Sequence, residues 1–389
     1  MSSRPFNELD KAWADHNLEW RDPADVMSNW KESADMDPKL LSSKVSGKWW
    51  ETLKSCGITL FVTREYEHLV LAIACGSVGP QVSYLRIPHP SGLVIDRKRR
   101  SLYIASTRNP NQVYTFKPAF YADTSKSKPV FMPVSAHFYP GCLYMHDLAL
   151  INGCLYANAV GRNTIVRLYG DGSFKNAWWP QCIEKKGRPV EKLNYIQLNS
   201  IAAGTSLKCS YFSASAENIS KLRPGHKDFP VDKRGVIFSG STRETVVRGL
   251  TRPHSLRWYK DKLWVDNSGY GEFGLADPKS GKFIALHRFP GWTRGLCFCK
   301  NIAFVGVSRV IPKFYKYAPG LDVKNNLCGI FAVDMEKGNI LGSLIWPAGN
   351  QIFALDWIDS RVSSGLPFRC KKMPKEKINR IFYSYKTGG

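Results

Sequence analysis

Long hydrophobic runs are missing from this sequence. The longest, Leu69 to Cys75, is far too short to span a bilayer, and the opening MSSRPFNELD lacks the apolar core of a secretory signal. The expectation is a cytoplasmic protein with no transmembrane segment. The ten cysteines form no C-x-x-C pair and no dense framework. Cys75, Cys154, Cys297 and Cys299 fall inside apolar strand patterns, as reduced thiols packed like small apolar residues do. There is no H-E-x-x-H, and the glycines of GYGEFG have neither the G-x-G-x-x-G spacing nor a following helix, so they form no phosphate loop. Nothing has the spacing of an RNA-recognition motif, a zinc finger or a helix-turn-helix. Acids are scarce: 32 Asp and Glu stand against 55 Lys and Arg, a net charge of +23 that points to an anionic partner. What remains, 389 residues with 43% hydrophobic and 13% aromatic side chains, is the composition of a folded globular protein.

The charge is uneven. Residues 1–37 carry nine acids and four basic residues, whereas 361–389 carry eight basic residues and one acid. In residues 1–56, Asp22-Pro23 and Asp37-Pro38 each set a capping acid before a proline suited to the first helical position. Trp13, Trp20, Trp30, Trp49 and Trp50 are scattered among charges there, a pattern that predicts two or three short amphipathic helices. From Gly57 to about residue 360 the pattern changes to short β-branched and aromatic runs punctuated by Gly, Asn, Asp and Pro, an all-β signature. Residues 361–389 read as a basic C-terminal tail.

The strands repeat. Opening motifs HPSGLVID, HDLALIN, NSIAAG, HSLRWYK, RGLCFCK and QIFALDW begin at residues 89, 146, 199, 254, 294 and 351, and second strands such as SLYIAST, CLYANAV, KLWVDNS and IAFVGVS follow them. That spacing suits four-stranded propeller blades. The sixth opening has too little chain behind it, while residues 58–75 and 81–88 supply three strands with no opening of their own. Joining the two ends closes the ring and removes exposed sheet edges. The expected fold is therefore a six-bladed β-propeller with a composite closing blade, and the alternative is a β-sandwich or two smaller β domains.

In a propeller the opening residues converge on one mouth of the central channel. His89, His146, Asn199 and His254 would form a divalent-metal site with open positions, and Arg294 and Gln351 would join them at the mouth. Satisfying backbone groups beside a water-filled channel and metal-free catalysis are the other readings of the same residues. Asp147 would face away from His146 and bond a neighbouring blade. The loops after the second strands add Arg108, Arg162 and Arg309, guanidiniums suited to a carboxylate, sulfate or phosphate, with Asn163, Asn267, Ser268 and Tyr270 as neutral partners.

Several stretches carry a resemblance: RGLTRPHSLRWYKDKLWVDNSGYGEFG at 248–274, FPGWTRGLCFCKNIAFVGVSR at 289–309, CGIFAVDMEKGNI at 328–340, and GCLYMHDLALINGCLYANAV at 141–160. Over about residues 50–360 the chain resembles an uncharacterised, mainly bacterial family of conserved hypothetical proteins bearing a domain of unknown function. The resemblance implies a β-propeller-like domain and no established activity. His146, Asn199, His254 and Arg294 match its pattern. His89, Gln197, Gln351 and Ala354 depart from it.

The functional expectation is a monomer that binds a small anionic molecule or acidic substrate at the channel mouth, with metal-assisted lyase or hydrolase chemistry on His146, His254 and Arg294. The alternative is a non-catalytic platform whose basic surface docks an acidic protein or nucleic acid.

Overall fold

The computed structural model describes residues 34–389 apart from 78, 109, 122–127, 192–193, 371–377, 379–380, 382–383 and 388–389. Asp22-Pro23 and Trp13, Trp20 and Trp30 therefore lie outside the described residues. The sheets form a six-bladed β-propeller. Each opening motif is the innermost strand of a blade: Pro90–Asp96, Met145–Ile151, Leu198–Ala202, Pro253–Tyr259, Trp292–Cys299 and Ala354–Asp359 in blades 1 to 6. The next strands lie buried between neighbouring blades on both faces. That is why Ile302–Ser308 reads as a continuous apolar run rather than an alternating one.

Blade 6 is composite. Ala354–Asp359 pairs antiparallel with Ile58–Arg64, bringing Asp356 opposite Phe61, and Leu69–Gly76 and Gly79–Arg86 complete the sheet. The ends of the chain then cover free strand edges on three adjacent blades, the outer edge in blades 5 and 6. Lys44–Gly47 adds a fifth strand to blade 5, Phe368–Arg369 one to blade 6, and Tyr385–Thr387 pairs with the long third strand of blade 1. Covering an edge removes a row of unpaired backbone groups that would template pairing with another chain.

Hydrogen bonds cross every blade junction near the channel. Ser91 Oγ donates to Met145 O at 2.7 Å, Ile201 N to Asp147 Oδ2 at 3.0 Å, and Leu256 N to Ser200 Oγ at 2.9 Å. Gly295 N donates to Ser255 Oγ at 2.7 Å, Ile352 N to Ser308 Oγ at 2.9 Å, and Ile95 N to Asp356 Oδ2 at 2.9 Å. The ring is tight enough that a Cβ on Gly92 would sit 2.5 Å from Asp147 Cα, so the HPSGL opening needs its glycine. Asp147 thus bonds a neighbouring blade, as the strand alternation predicts.

The helix Trp49–Cys56 buries Trp49, Thr52, Leu53 and Cys56, an i, i+3, i+4, i+7 stripe, and ends on Gly57 in the left-handed region at φ 69°. Trp49 meets Phe304 of blade 5 edge-on at 5.9 Å. Asp37 caps the short helix Pro38–Leu41, its carboxylate accepting from Lys39 N at 2.9 Å. Among the described residues no helix is long and apolar enough to cross a membrane.

Candidate functional site

Where the inner strands begin, the channel widens into a cavity of about 290 Å³. Four of the openings each present two residues, two positions apart, to this mouth. Blade 2 supplies Tyr144 and His146, blade 4 Arg252 and His254, blade 5 Trp292 and Arg294, and blade 6 Gln351 and Phe353. The loops after the second strands add Arg108 and Arg309. Phe314 and Tyr317, on the 3-10 helix Pro312–Tyr317, and Tyr66, on which Phe314 stacks at 6.4 Å, form an aromatic wall.

His254 is held in one tautomer. Its Nδ1 lies 2.9 Å from Arg252 O and 3.0 Å from Ser268 Oγ, and the Ser268 hydroxyl donates to Thr293 O at 2.6 Å. Both neighbours of Nδ1 therefore accept, so Nδ1 carries the proton and Nε2 keeps a lone pair. Burial, reinforced by the charge of Arg294, holds the pKa well below the usual histidine value. His146 is depressed by the same two causes, with Arg108 adding to them, and its Nδ1 has no hydrogen-bond partner. The Asn199 oxygen lies close enough to favour the protonated ring without a hydrogen bond of ordinary geometry. The balance still leaves His146 neutral.

The arginines decide the electrostatics. Arg294 is 8% exposed, its guanidinium lies 3.3 Å from the centroid of the Phe353 ring, and its Nη2 has no partner. Desolvation lowers its pKa to about 10, against which Glu65 pulls upward. Arg252 is also lowered to about 10 by desolvation. It bonds Gln197 Oε1 and Pro224 O and lies 3.9 Å over the Tyr317 ring. Among the described residues neither guanidinium has a carboxylate within ion-pair distance. Arg309 donates to Pro347 O at 2.8 Å and keeps a buried, unpartnered Nε. Among the described residues, Arg108 and Lys313 bring the cationic side chains lining the cavity to five, against one carboxylate, Glu65, which lies 3.9 Å from Arg108.

The structure brings together His146, His254, Arg294, Arg108 and Arg309. It does not assemble the four expected metal ligands. His89 occupies a corner at φ 41°, its ring packed 4.3 Å from that of His68, and Ser91 takes the channel-side position. Asn199 donates to Ser215 Oγ and Pro253 O, both at 2.9 Å. Among the described residues no group of three His, Cys, Asp or Glu side chains stands where it could hold a metal ion.

Arg162 turns aside to Glu191 and Phe174. Asn163 is spent on Tyr195 N at 2.7 Å and Val190 O at 3.3 Å, and Asn267 on Thr251 N at 2.7 Å and Glu272 at 2.8 Å. Tyr270 donates to Asp232 at 3.0 Å. Ser268 positions His254. The sequence reading passed over Arg252, Trp292, Phe353 and Glu65. Trp292 lies two residues before Arg294 on one strand, so the same period of two, carried one step back, would have found it, whereas Arg252 precedes its strand at φ 53° and strand alternation does not place it.

The six-bladed ring, together with the ordered HDL, RPHS, SGYGE and RGL elements at its mouth, fixes where this chain stands among known sequences. The chain belongs to the family described as Domain of unknown function (DUF4915), matched over residues 47–364. No curated protein matches this DUF4915 chain. Among solved structures it is similar to a chain of a nidogen/laminin complex, at 9% identity over 77% of this chain and 98% of that one, TM-score 0.51. It is also similar to a protein of unknown function from Bacteroides caccae, at 9% identity over 77% and 98%, TM-score 0.50. At such identity these likenesses show the fold alone. Chemically, this DUF4915 mouth offers guanidiniums for negative charge beside two neutral imidazoles.

Proposed function

We propose that this propeller binds a small anionic molecule in the channel-mouth cavity, with Arg294, Arg252, Arg108 and Arg309 meeting its charge. The observation that carries this is the pair of buried guanidiniums, Arg252 and Arg294, without a carboxylate partner among the described residues. An unpaired buried charge costs several kcal/mol, and a bound anion removes that cost. The reading extends to lyase or hydrolase chemistry, in which His254 Nε2 takes a proton and Arg294 stabilises the negative charge that develops. His146 would act beside them. A divalent ion forms no part of this reading, because the donor set does not converge and the lining is cationic.

The test is thermal unfolding with inorganic phosphate or sulfate at low ionic strength. Either anion should raise the Tm of the wild type and leave that of Arg294→Met unchanged; equal shifts in both proteins would refute the assignment of this cavity.

A further inference from the structure

Anion binding alone leaves the neutral part of the cavity unexplained, and the inference drawn from that part rests on the anion-binding reading. His254 Nε2 is an acceptor, since Nδ1 carries the proton, and has no partner among the described residues, on a residue that is 4% exposed and lines the cavity. Gln351 Oε1 and Asn194 Oδ1, also on lining residues, are buried without donors. Buried acceptors are almost always satisfied, so the molecule that fills this space must bring hydrogen-bond donors as well as negative charge.

Those donors must be neutral. An ammonium group would face the cationic lining with Glu65 alone among the described residues to oppose it. A peptide carries neutral N–H donors, but it needs an open groove for its flanking chain, and this cavity is walled by the stacked Tyr66, Phe314 and Tyr317. Hydroxyl groups are the neutral donors that a small anion carries in number. Trp292, whose ring lies 5.7 Å from that of His254, supplies a flat apolar face of the kind that covers the C–H side of a pyranose. The volume of about 290 Å³ lies at the small end of ligand sites and suits one or two saccharide rings.

We infer that the ligand is a hydroxylated sugar acid, its carboxylate on Arg294 and a ring hydroxyl donating to His254 Nε2. Calorimetric titration of the full chain at low ionic strength and pH 7.5 tests this with five probes: D-glucuronate, succinate, D-glucose, D-glucose 6-phosphate and inorganic phosphate. D-Glucuronate should bind at least tenfold more tightly than succinate, and D-glucose should not bind. His254→Phe, with its fold checked by circular dichroism, should weaken D-glucuronate at least tenfold and change inorganic phosphate less than twofold. Arg294→Met should weaken both. The comparison of D-glucuronate with succinate on the wild type needs no variant and stands if His254→Phe fails to fold.

Equal binding of succinate and D-glucuronate, or a His254→Phe variant that keeps D-glucuronate, overturns the sugar-acid class while anion binding survives. So does inorganic phosphate binding without any sugar acid. D-Glucose 6-phosphate binding more tightly than D-glucuronate replaces the carboxylate with a phosphate ester. Failure of every anion overturns both readings together.

Discussion

The two mouths of the channel use the same residue type in opposite ways. At the far mouth, where the inner strands end, Arg257 makes paired hydrogen bonds to Asp147 at 2.7 and 3.1 Å, and Arg97 meets Asp356 at 2.6 Å. Burial pulls both guanidiniums down, yet the carboxylates more than compensate and each stands above its usual pKa. Each acid comes from another blade and also caps a backbone N–H there, so charge pairing and ring closure share the same atoms. At the near mouth Arg252 and Arg294 have no such acid among the described residues and fall to about 10. A net charge of +23 marks no site by itself. What distinguishes one end of the channel is the absence of one carboxylate per buried arginine.

Breaking the far pair should have the largest effect. Asp147→Ala strands Arg257 and removes the acceptor for Ile201 N, and should cost about 3–5 kcal/mol in urea denaturation. A loss below about 1 kcal/mol would mean that the two mouths do not differ as described. The mirror experiment is Arg294→Met, which removes a charge that has no partner. Stability without ligand should stay level or rise by up to about 1–4 kcal/mol, while phosphate binding disappears. A clear loss of stability would reveal a partner for Arg294 inside the protein.

Acid sharpens the contrast further. His146 and His254 are held well below their usual pKa by burial and by Arg294, so below about pH 6.5 the unfolded chain takes up protons that the folded chain refuses. Their contribution is complete above that pH and is lost as the pH falls. Each adds up to about 1.4 kcal/mol per pH unit to the slope. Urea titrations from pH 7.5 to 5.0 should show a shallower decline for the His146→Phe/His254→Phe double variant than for the wild type. Parallel declines would mean that the rings are already charged. The smallest effect belongs to Lys313 on the near rim: Lys313→Ala should slow anion association a few-fold at low salt, and the difference should vanish at high salt.

Much of the architecture was legible because a propeller writes its period into the chain. The six openings, the composite sixth blade and the cap at Asp37 follow from strand patterning and turn chemistry. Register at the mouth was harder. Phe353, not Gln351, occupies the position equivalent to His146 and His254, because it stands two residues before the buried Leu355, as they stand before Leu148 and Leu256. Side-chain direction was harder still: Arg162 and Arg108 sit in equivalent loops, yet Glu191 draws the first away and only the second reaches the cavity. Such choices depend on a neighbour distant in sequence, which local patterning does not encode. The clad edges were illegible for the same reason, since Phe368–Arg369 is too short to announce a strand.

The order in which the closing blade is written has a consequence for biosynthesis. Ile58–Arg64 emerges from the ribosome long before its inner partner Ala354–Asp359, and at about 5–20 residues per second the wait is roughly 15–60 s. Through that interval a strand that is buried along its whole length in the finished ring has its hairpin partner Leu69–Gly76 but lacks its inner one. The nascent chain must therefore shelter that open inner edge, by a provisional partner or by a chaperone. The ring can lock only after nearly all of it has been made.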